Sequence, residues 1–226
     1  MAANDMSDGA TLARPASLAG GVYEAIFAQL MSLRIAPGAR ITVDSLVREL
    51  SVSQTPIREA LGRLEGEGLV TRTHLVGYRA TSQISRARFD ELYELRLFLE
   101  PEAAAKTAAH MDDFRLATLD RLAGGMARNA GNDEQVRYSD FARQDSEFHD
   151  RVLEFAGNSL MRETLRMQHA HFHIFLLMYH WRVTAEALDE HEAIMDAFRQ
   201  GSPDDARNAM RVHISNSRTR LLPAFE

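Results

Sequence analysis

Between Ser53 and Gly68 the apolar residues Ile57, Ala60, Leu61 and Leu64 recur three and four apart, a period that predicts one amphipathic helix. Its other side carries Thr55, Arg58, Glu59 and Gly62, so the outer face is small, polar and basic. Ser53 stands where a hydroxyl would cap the first turn, and Pro56 lies early enough that its missing N–H costs no helical hydrogen bond. Upstream, Val43, Leu46, Val47 and Leu50 mark a shorter helix joined through Ser51-Val52-Ser53, which is helix-turn-helix spacing. Val22, Ile26, Leu30 and Leu33 mark a first helix that stops at Pro37-Gly38. Downstream, Leu69 to Arg72 and Tyr78 to Thr81 read as two short strands joined through Gly77, a β-hairpin wing.

Beyond the wing the pattern changes to helix throughout. Six periodic stretches are expected: Asp90 to His110, interrupted by Pro101, which should kink or divide it; Asp112 to Arg128, weakening at Gly124-Gly125; Glu134 to Phe155; Leu160 to about Trp181; Thr184 to Gln200; and Pro203 to Leu222 behind a Ser202 cap. Short polar links between them predict an antiparallel bundle with room for a ligand in its middle. The fold class is therefore mainly α: an N-terminal winged helix-turn-helix with a small β-hairpin wing, followed by an antiparallel all-α bundle. The domains expected are a flexible tail over 1–14, the winged unit over 15–81 and the bundle over 82–226, with Thr81 to Arg86 as the link.

The run from Pro37-Gly38 through Leu50-Ser51-Val52-Ser53-Gln54-Thr55-Pro56-Ile57-Arg58-Glu59-Ala60-Leu61 to Gly68-Leu69-Val70 and Gly77 resembles the winged helix-turn-helix of GntR-type bacterial transcription regulators. The resemblance implies that Ser53, Gln54, Thr55 and Arg58 face the major groove of an operator and that the wing tip around Gly77 approaches the minor groove. Gln54 departs from the basic residue frequent at that position, so the operator sequence of relatives does not transfer; its amide can still hydrogen-bond an adenine edge or a phosphate.

Charge fits this reading once it is divided along the chain. The whole sequence of 226 residues, 45% hydrophobic and long enough for two cores, has a net charge of −6. Residues 34 to 79 nevertheless carry seven arginines against five acids, a local balance of +2. The lack of cysteine removes disulfides and thiolate metal sites. No apolar run approaches the roughly 18 residues of a membrane span, and the polar N-terminus lacks a signal-peptide pattern. A cytoplasmic protein without membrane contact is expected.

The chemistry of the bundle lies in its histidines. Asp145 and His149, four apart, share a helix face, while His191 and His213 lie on the two last helices. One carboxylate and three imidazoles can converge on a divalent ion, zinc first, with nickel, manganese or iron as alternatives; each histidine taken singly can equally be a hydrogen-bonded core residue. The C-terminal part is also similar to the FCD domain that follows the winged helix in one GntR branch, on Asp145-x-x-x-His149, Glu190-His191-Glu192, Arg211-Val212-His213, Leu95-Arg96, Leu99-Glu100 and Phe155-Ala156-Gly157-Asn158. That similarity implies a metal held by Asp145, His149, His191 and His213, with coordination positions open to water or to a carboxylate effector. Arg96 is a candidate fork for that carboxylate, or a salt-bridge or solvated residue. A second set, His169, His171, His173 and His180, crowds the fourth stretch; it could form a second site or line the pocket, and reads chiefly as packing beside Phe172, Phe175, Met178 and Tyr179 or as hydrogen bonding at a dimer surface. The ten methionines read as gap-fillers. The function expected is a homodimeric DNA-binding regulator, a repressor, that senses a small carboxylate and is not an enzyme. The rival readings are a metal-dependent enzyme fused to a DNA-binding domain and a metal-free regulator sensing an acyl-thioester.

Overall fold

A computed structural model describes residues 18–74, 76–128, 134–178 and 185–225. The expected tail over 1–14, and with it His180, Tyr179 and Trp181, lies outside the described residues. The N-terminal unit opens with α1 (Leu18–Met31), β1 (Arg40–Ile41), α2 (Val43–Leu50) and α3 (Gln54–Gly66), followed by β2 (Val70–Thr73) and β3 (Gly77–Ala80). Ile57, Ala60, Leu61 and Leu64 of α3 are buried against Val22, Ile26 and Leu30 of α1, as the period requires. Burial of this stripe fixes which face of α3 looks outward, and Thr55, Arg58, Glu59 and Gly62 are on it.

Local chemistry sets the ends. The Thr42 hydroxyl accepts from Ser45 N–H at the start of α2, and Ser51 closes that helix in the left-handed region at φ 54°. Ser53 does occupy the N-cap of α3, but its hydroxyl makes no capping bond, contrary to expectation. The first helix also ends earlier than Pro37-Gly38. It stops at Met31, and Leu33 takes φ 53°, which lets the chain turn before the proline is reached. The wing is a three-stranded antiparallel sheet rather than a lone hairpin, in the order β1-β3-β2 with Arg40 opposite Arg79 and Thr71 also opposite Arg79 on the other side.

The rest of the chain forms α4 (Arg86–Ala109), α5 (Asp113–Arg128), α6 (Glu134–Phe155), α7 (Ser159–Met167), α8 (Ala170–Met178), α9 (Ala185–Arg199), α10 (Pro203–Leu221) and a closing 3-10 turn, Leu222–Phe225. Pro101 lies inside α4 without dividing it. α4 packs along α10 and α6, with Phe89, Tyr93, Ala103 and Ala104 buried, and this burial outweighs the roughly 3 kcal/mol that an interior proline costs. Ser85 caps α4, Asn158 caps α7 and Ser202 caps α10, each through its side chain on a backbone N–H three residues on.

The fourth expected helix is two. His169 has φ 49° and breaks the stretch between α7 and α8, and its ring lies against Gly68, just after α3. Gly68 itself has φ 72°, and a Cβ there would collide with that ring. Gly68→Ala should therefore lose about 1–2 kcal/mol to backbone strain and more to the collision. His169→Ala in the same chain should return only the collision part. Urea unfolding of the two variants checks this, and full recovery in the double variant would contradict it. The same region joins the two units: α1 packs on α6, and Arg143 of α6 reaches Glu24 of α1 at 3.0 Å.

Candidate metal centre and DNA-binding surface

α3 presents Gln54, Thr55 and Arg58 to solvent, with Ser53 exposed just before it. The Gln54 amide donates to Asp44 Oδ1 at 3.1 Å and accepts from Arg58 Nη2 at 3.4 Å, so one neutral side chain ties the two helices and steadies the arginine. At the wing, Gly77 adopts φ 105°. Two arginines that the motif did not single out brace it: Arg40 donates to the Val76 carbonyl at 3.3 Å and Arg79 to the Gly38 carbonyl at 3.0 Å. Both are exposed and add positive charge beside α3. Only the local excess of arginine hinted at them.

In the bundle, α6 supplies Asp145 and His149, α9 His191 and α10 His213. All four are buried, and one potential ligand atom from each lies within 4.8 Å of the others. The packing that brings them together runs through α4 and α5: α10 lies on α4 and α9, and α6 on α4 and α5, with Phe148, Ile194, Met210 and Ile214 buried. The three imidazoles are tied at the same ring atom. His149 Nδ1 donates to Glu100 Oε2 at 2.5 Å, His191 Nδ1 to the Ala187 carbonyl at 2.7 Å and His213 Nδ1 to Glu190 Oε2 at 3.0 Å. Carboxylate and carbonyl oxygens only accept, so each Nδ1 carries the proton and each Nε2 is left as a lone pair.

Those lone pairs have no proton to receive. Nε2 of His149 and of His191 are buried without a hydrogen bond, although His191 Nε2 lies 3.0 Å and His149 Nε2 3.9 Å from Asp145 Oδ1. Buried electron-rich atoms gathered in this way repel one another unless a cation sits among them. The donor set therefore fits a divalent metal, and the Nδ1 partners are the outer supports that metal-binding histidines use.

Two arginine-carboxylate pairs hold these supports. Arg96 Nε donates to Glu100 Oε1 at 2.5 Å and its Nη2 to Oε2 at 3.3 Å, both residues being buried. Arg220 grips Glu190 at 2.6 and 2.8 Å, and Asn216 donates to it at 2.8 Å. Sequence reading had assigned no such role to Glu100 or Glu190; the Arg96-Glu100 spacing of four was the available signal.

Burial alone would raise the Asp145 carboxyl; positive charge beside it, on His191, His149 and His171 when protonated, holds it well below the usual range, so with neutral rings the carboxylate too calls for a cation. Burial works likewise against the Glu100 charge, and Arg96 and His149 overcome it. Burial and then the neighbouring His191 push His213 down to about 3, so it is neutral and available as a ligand.

Of the other histidines, His171 approaches the centre, its Nε2 3.5 Å from Arg96 Nη2 and 3.8 Å from Asp145 Oδ2. His169 packs on Gly68, and His173 is partly buried with an unpartnered Nδ1. His169 and His173 form no cluster with metal-binding spacing among the described residues.

Comparison with known proteins agrees with both halves of this architecture. The model described as bacterial regulatory proteins, gntR family, matches residues 18–79, and that of the FCD domain matches residues 91–216. The chain is 28% identical over 192 residues to the Nta operon transcriptional regulator of Aminobacter aminovorans, covering 85% of this chain and 89% of that one. It is 26% identical over 200 residues to the transcriptional repressor NanR of Escherichia coli, covering 76% and 71%. Among solved structures, E. coli McbR/YncC shares the fold at a TM-score of 0.68 and 19% identity, over 93% of this chain and 99% of the other. With a winged helix and an FCD bundle matched in that order, the chain belongs to the GntR family of bacterial transcription regulators, in the branch that carries an FCD domain.

Proposed function

We propose that this DNA-binding transcription regulator is a cytoplasmic, homodimeric repressor that holds one divalent ion at Asp145, His149, His191 and His213 and releases or grips its operator in response to a small carboxylate. The observation that carries the metal reading is the uniform anchoring of the three Nδ1 atoms, which leaves three Nε2 lone pairs beside a buried carboxylate. Zinc suits the donor set best, with nickel, manganese or iron as alternatives. Bound there, the ion would supply an attachment point for a carboxylate oxygen. Arg96 lies beside the centre with part of its donor capacity committed to Glu100, and its remaining N–H groups are the candidates for the second oxygen.

Against the enzyme reading, the carboxylates that hold the imidazoles are already engaged: Glu100 by Arg96 and His149, Glu190 by Arg220 and His213. Neither is poised to take a proton from water. The complete ligand quartet argues against a metal-free acyl-thioester sensor.

At the DNA surface, Ser53, Gln54, Thr55 and Arg58 would read the major groove and Gly77 would bring the wing to the minor groove. A single winged helix makes few contacts, and a symmetric dimer doubles them over two half-sites. Arg58→Ala should weaken operator binding by about 1–3 kcal/mol if the guanidinium reads a base, or flatten the salt dependence by about one unit if it contacts phosphate. Operator affinity unchanged across a salt series would remove Arg58 from the interface.

The regulatory reading is tested by titrating carboxylates into metal-loaded protein with and without operator DNA. A coupling of about 1–3 kcal/mol would change affinity roughly 5- to 150-fold, and by reciprocity DNA must change effector affinity by the same factor. Equal affinities would refute the coupling, and appearance of a product would favour the enzyme.

A further inference from the structure

We infer that the carboxylate sensed by this protein carries an extended apolar body, and that this body lies in the cleft between the winged helix and the bundle. The inference rests on the metal-centre reading for the head group and adds the class of molecule and its place. Space at the metal centre itself is small: the cavity bounded by Arg96, Asp145, His191 and His213 has a volume of about 20 Å³. That holds little more than one water, and it leaves no room for the rest of an acid.

A second cavity, of about 620 Å³, lies beside the first. Phe175 lines both, and Glu100 and His171 of the centre line the larger one. The volume is in the range of sites that enclose a whole drug-sized molecule. Phe27, Met31, Leu153, Leu165 and Phe172 supply apolar wall, while Arg143, Glu147 and Arg166 are on polar parts of the lining. His171 is the imidazole that joins the two spaces. It lines the cleft, its side chain is 14% exposed, and it lies 3.5 Å from Arg96 Nη2. An acid with its head between His171 and the centre has its body in the cleft.

The far wall belongs to the DNA-binding unit. Tyr23 of α1 and Gly66, Glu67 and Leu69 at the end of the recognition helix face the cavity, and His169, packed on Gly68, also lines it. The Tyr23 hydroxyl donates to Glu67 at 2.5 Å, which ties the end of α3 to α1. A ligand body placed here touches both units at once. Its binding energy therefore depends on how they are set against each other, which is the differential interaction that any effector needs.

The test is calorimetry on the full-length zinc-loaded protein with acetate, hexanoate and decanoate. Affinity should rise roughly fourfold with each methylene added, until the cleft is full. Ser146→Trp, which fills the cleft from α6, should keep one zinc per chain and the affinity for acetate but lose the gain with length. Gly66→Phe adds a side chain to the opposite wall at a position where a Cβ meets nothing within 4 Å, and should act in the same direction without disturbing the bundle. Equal affinity for acetate and decanoate would overturn the inference, as would decanoate binding as in the parent protein by both variants. Failure to bind any of the acids by protein shown to hold zinc would overturn it as well. Failure to hold zinc is read separately by metal analysis and would overturn the metal-centre reading instead.

Discussion

Purified protein is expected to carry close to one divalent ion per chain, and chelation to lower its melting temperature by roughly 8–16 °C when free metal is held near 1,000 times the dissociation constant. The estimate follows from about 4 kcal/mol of linkage stabilisation and about 2–4 °C per kcal/mol in a chain of this size. The ligands come from α6, α9 and α10, so an ion held by all four fastens three helices that the unfolded chain cannot present together. His191→Ala and His213→Ala should abolish stoichiometric binding, while His169→Ala and His173→Ala should leave it intact. The reverse pattern in metal analysis would move the site. Protons act against the fold in the same region. Burial and then His191 push His213 down to about 3, and burial, His169 and Arg88 push His173 down to about 4, against about 6.5 in an unfolded chain. The folded chain thus resists protonation where the unfolded chain accepts it. The stability these groups contribute is complete above about pH 6.5 and is lost as pH falls towards about 3–4. Metal-free protein should melt at steadily lower temperature below pH 6.5, and a flat profile down to pH 4.5 would contradict these environments.

How far the site could be read from sequence depends on the range of the interactions that make it. Asp145 and His149 were legible as a pair because a spacing of four places both on one helix face whatever the helix packs against. His191 and His213 carry no such local signal, and it was their resemblance to a known pattern that joined them to the pair. The spacing of four between Arg96 and Glu100 hinted at their ion pair, but the roles of Glu100 and Glu190 as supports were not read, since their hydrogen bonds to His149 and His213 cross between helices. The same distinction runs through the fold. The stripe of α3 predicted its buried face, whereas β1 is two residues long and is defined only by pairing with Arg79 and Tyr78, far along the chain. The break at His169 was hidden because its positive φ accompanies a ring packed on Gly68, and no turn residue marks it.

Glu100→Ala is expected to destabilise the fold by about 3–5 kcal/mol, far more than the loss of an exposed salt bridge, because it strands a charge. Arg96 and Glu100 are each 1% exposed, and the carboxylate accepts from Arg96 at 2.5 and 3.3 Å and from His149 Nδ1 at 2.5 Å. Without it the guanidinium stays buried and loses its directly paired carboxylate, with only the more distant Asp145 charge left to face it. Glu190→Ala should cost less, since the Arg220 side chain is 23% exposed and can turn to water. Removing both charges tests the cause: Arg96→Met with Glu100→Leu restores apolar packing and should recover most of the stability lost in Glu100→Ala. Metal affinity should behave differently. Both Glu100 variants deprive His149 Nδ1 of its acceptor and so loosen the ring that presents Nε2, which should weaken metal binding about 10- to 100-fold. Denaturant melts and metal titration therefore separate two functions of one carboxylate. If the double variant is as unstable as Glu100→Ala, the stranded charge is not the cause of the loss; if it binds metal like the parent protein, Glu100 does not position His149.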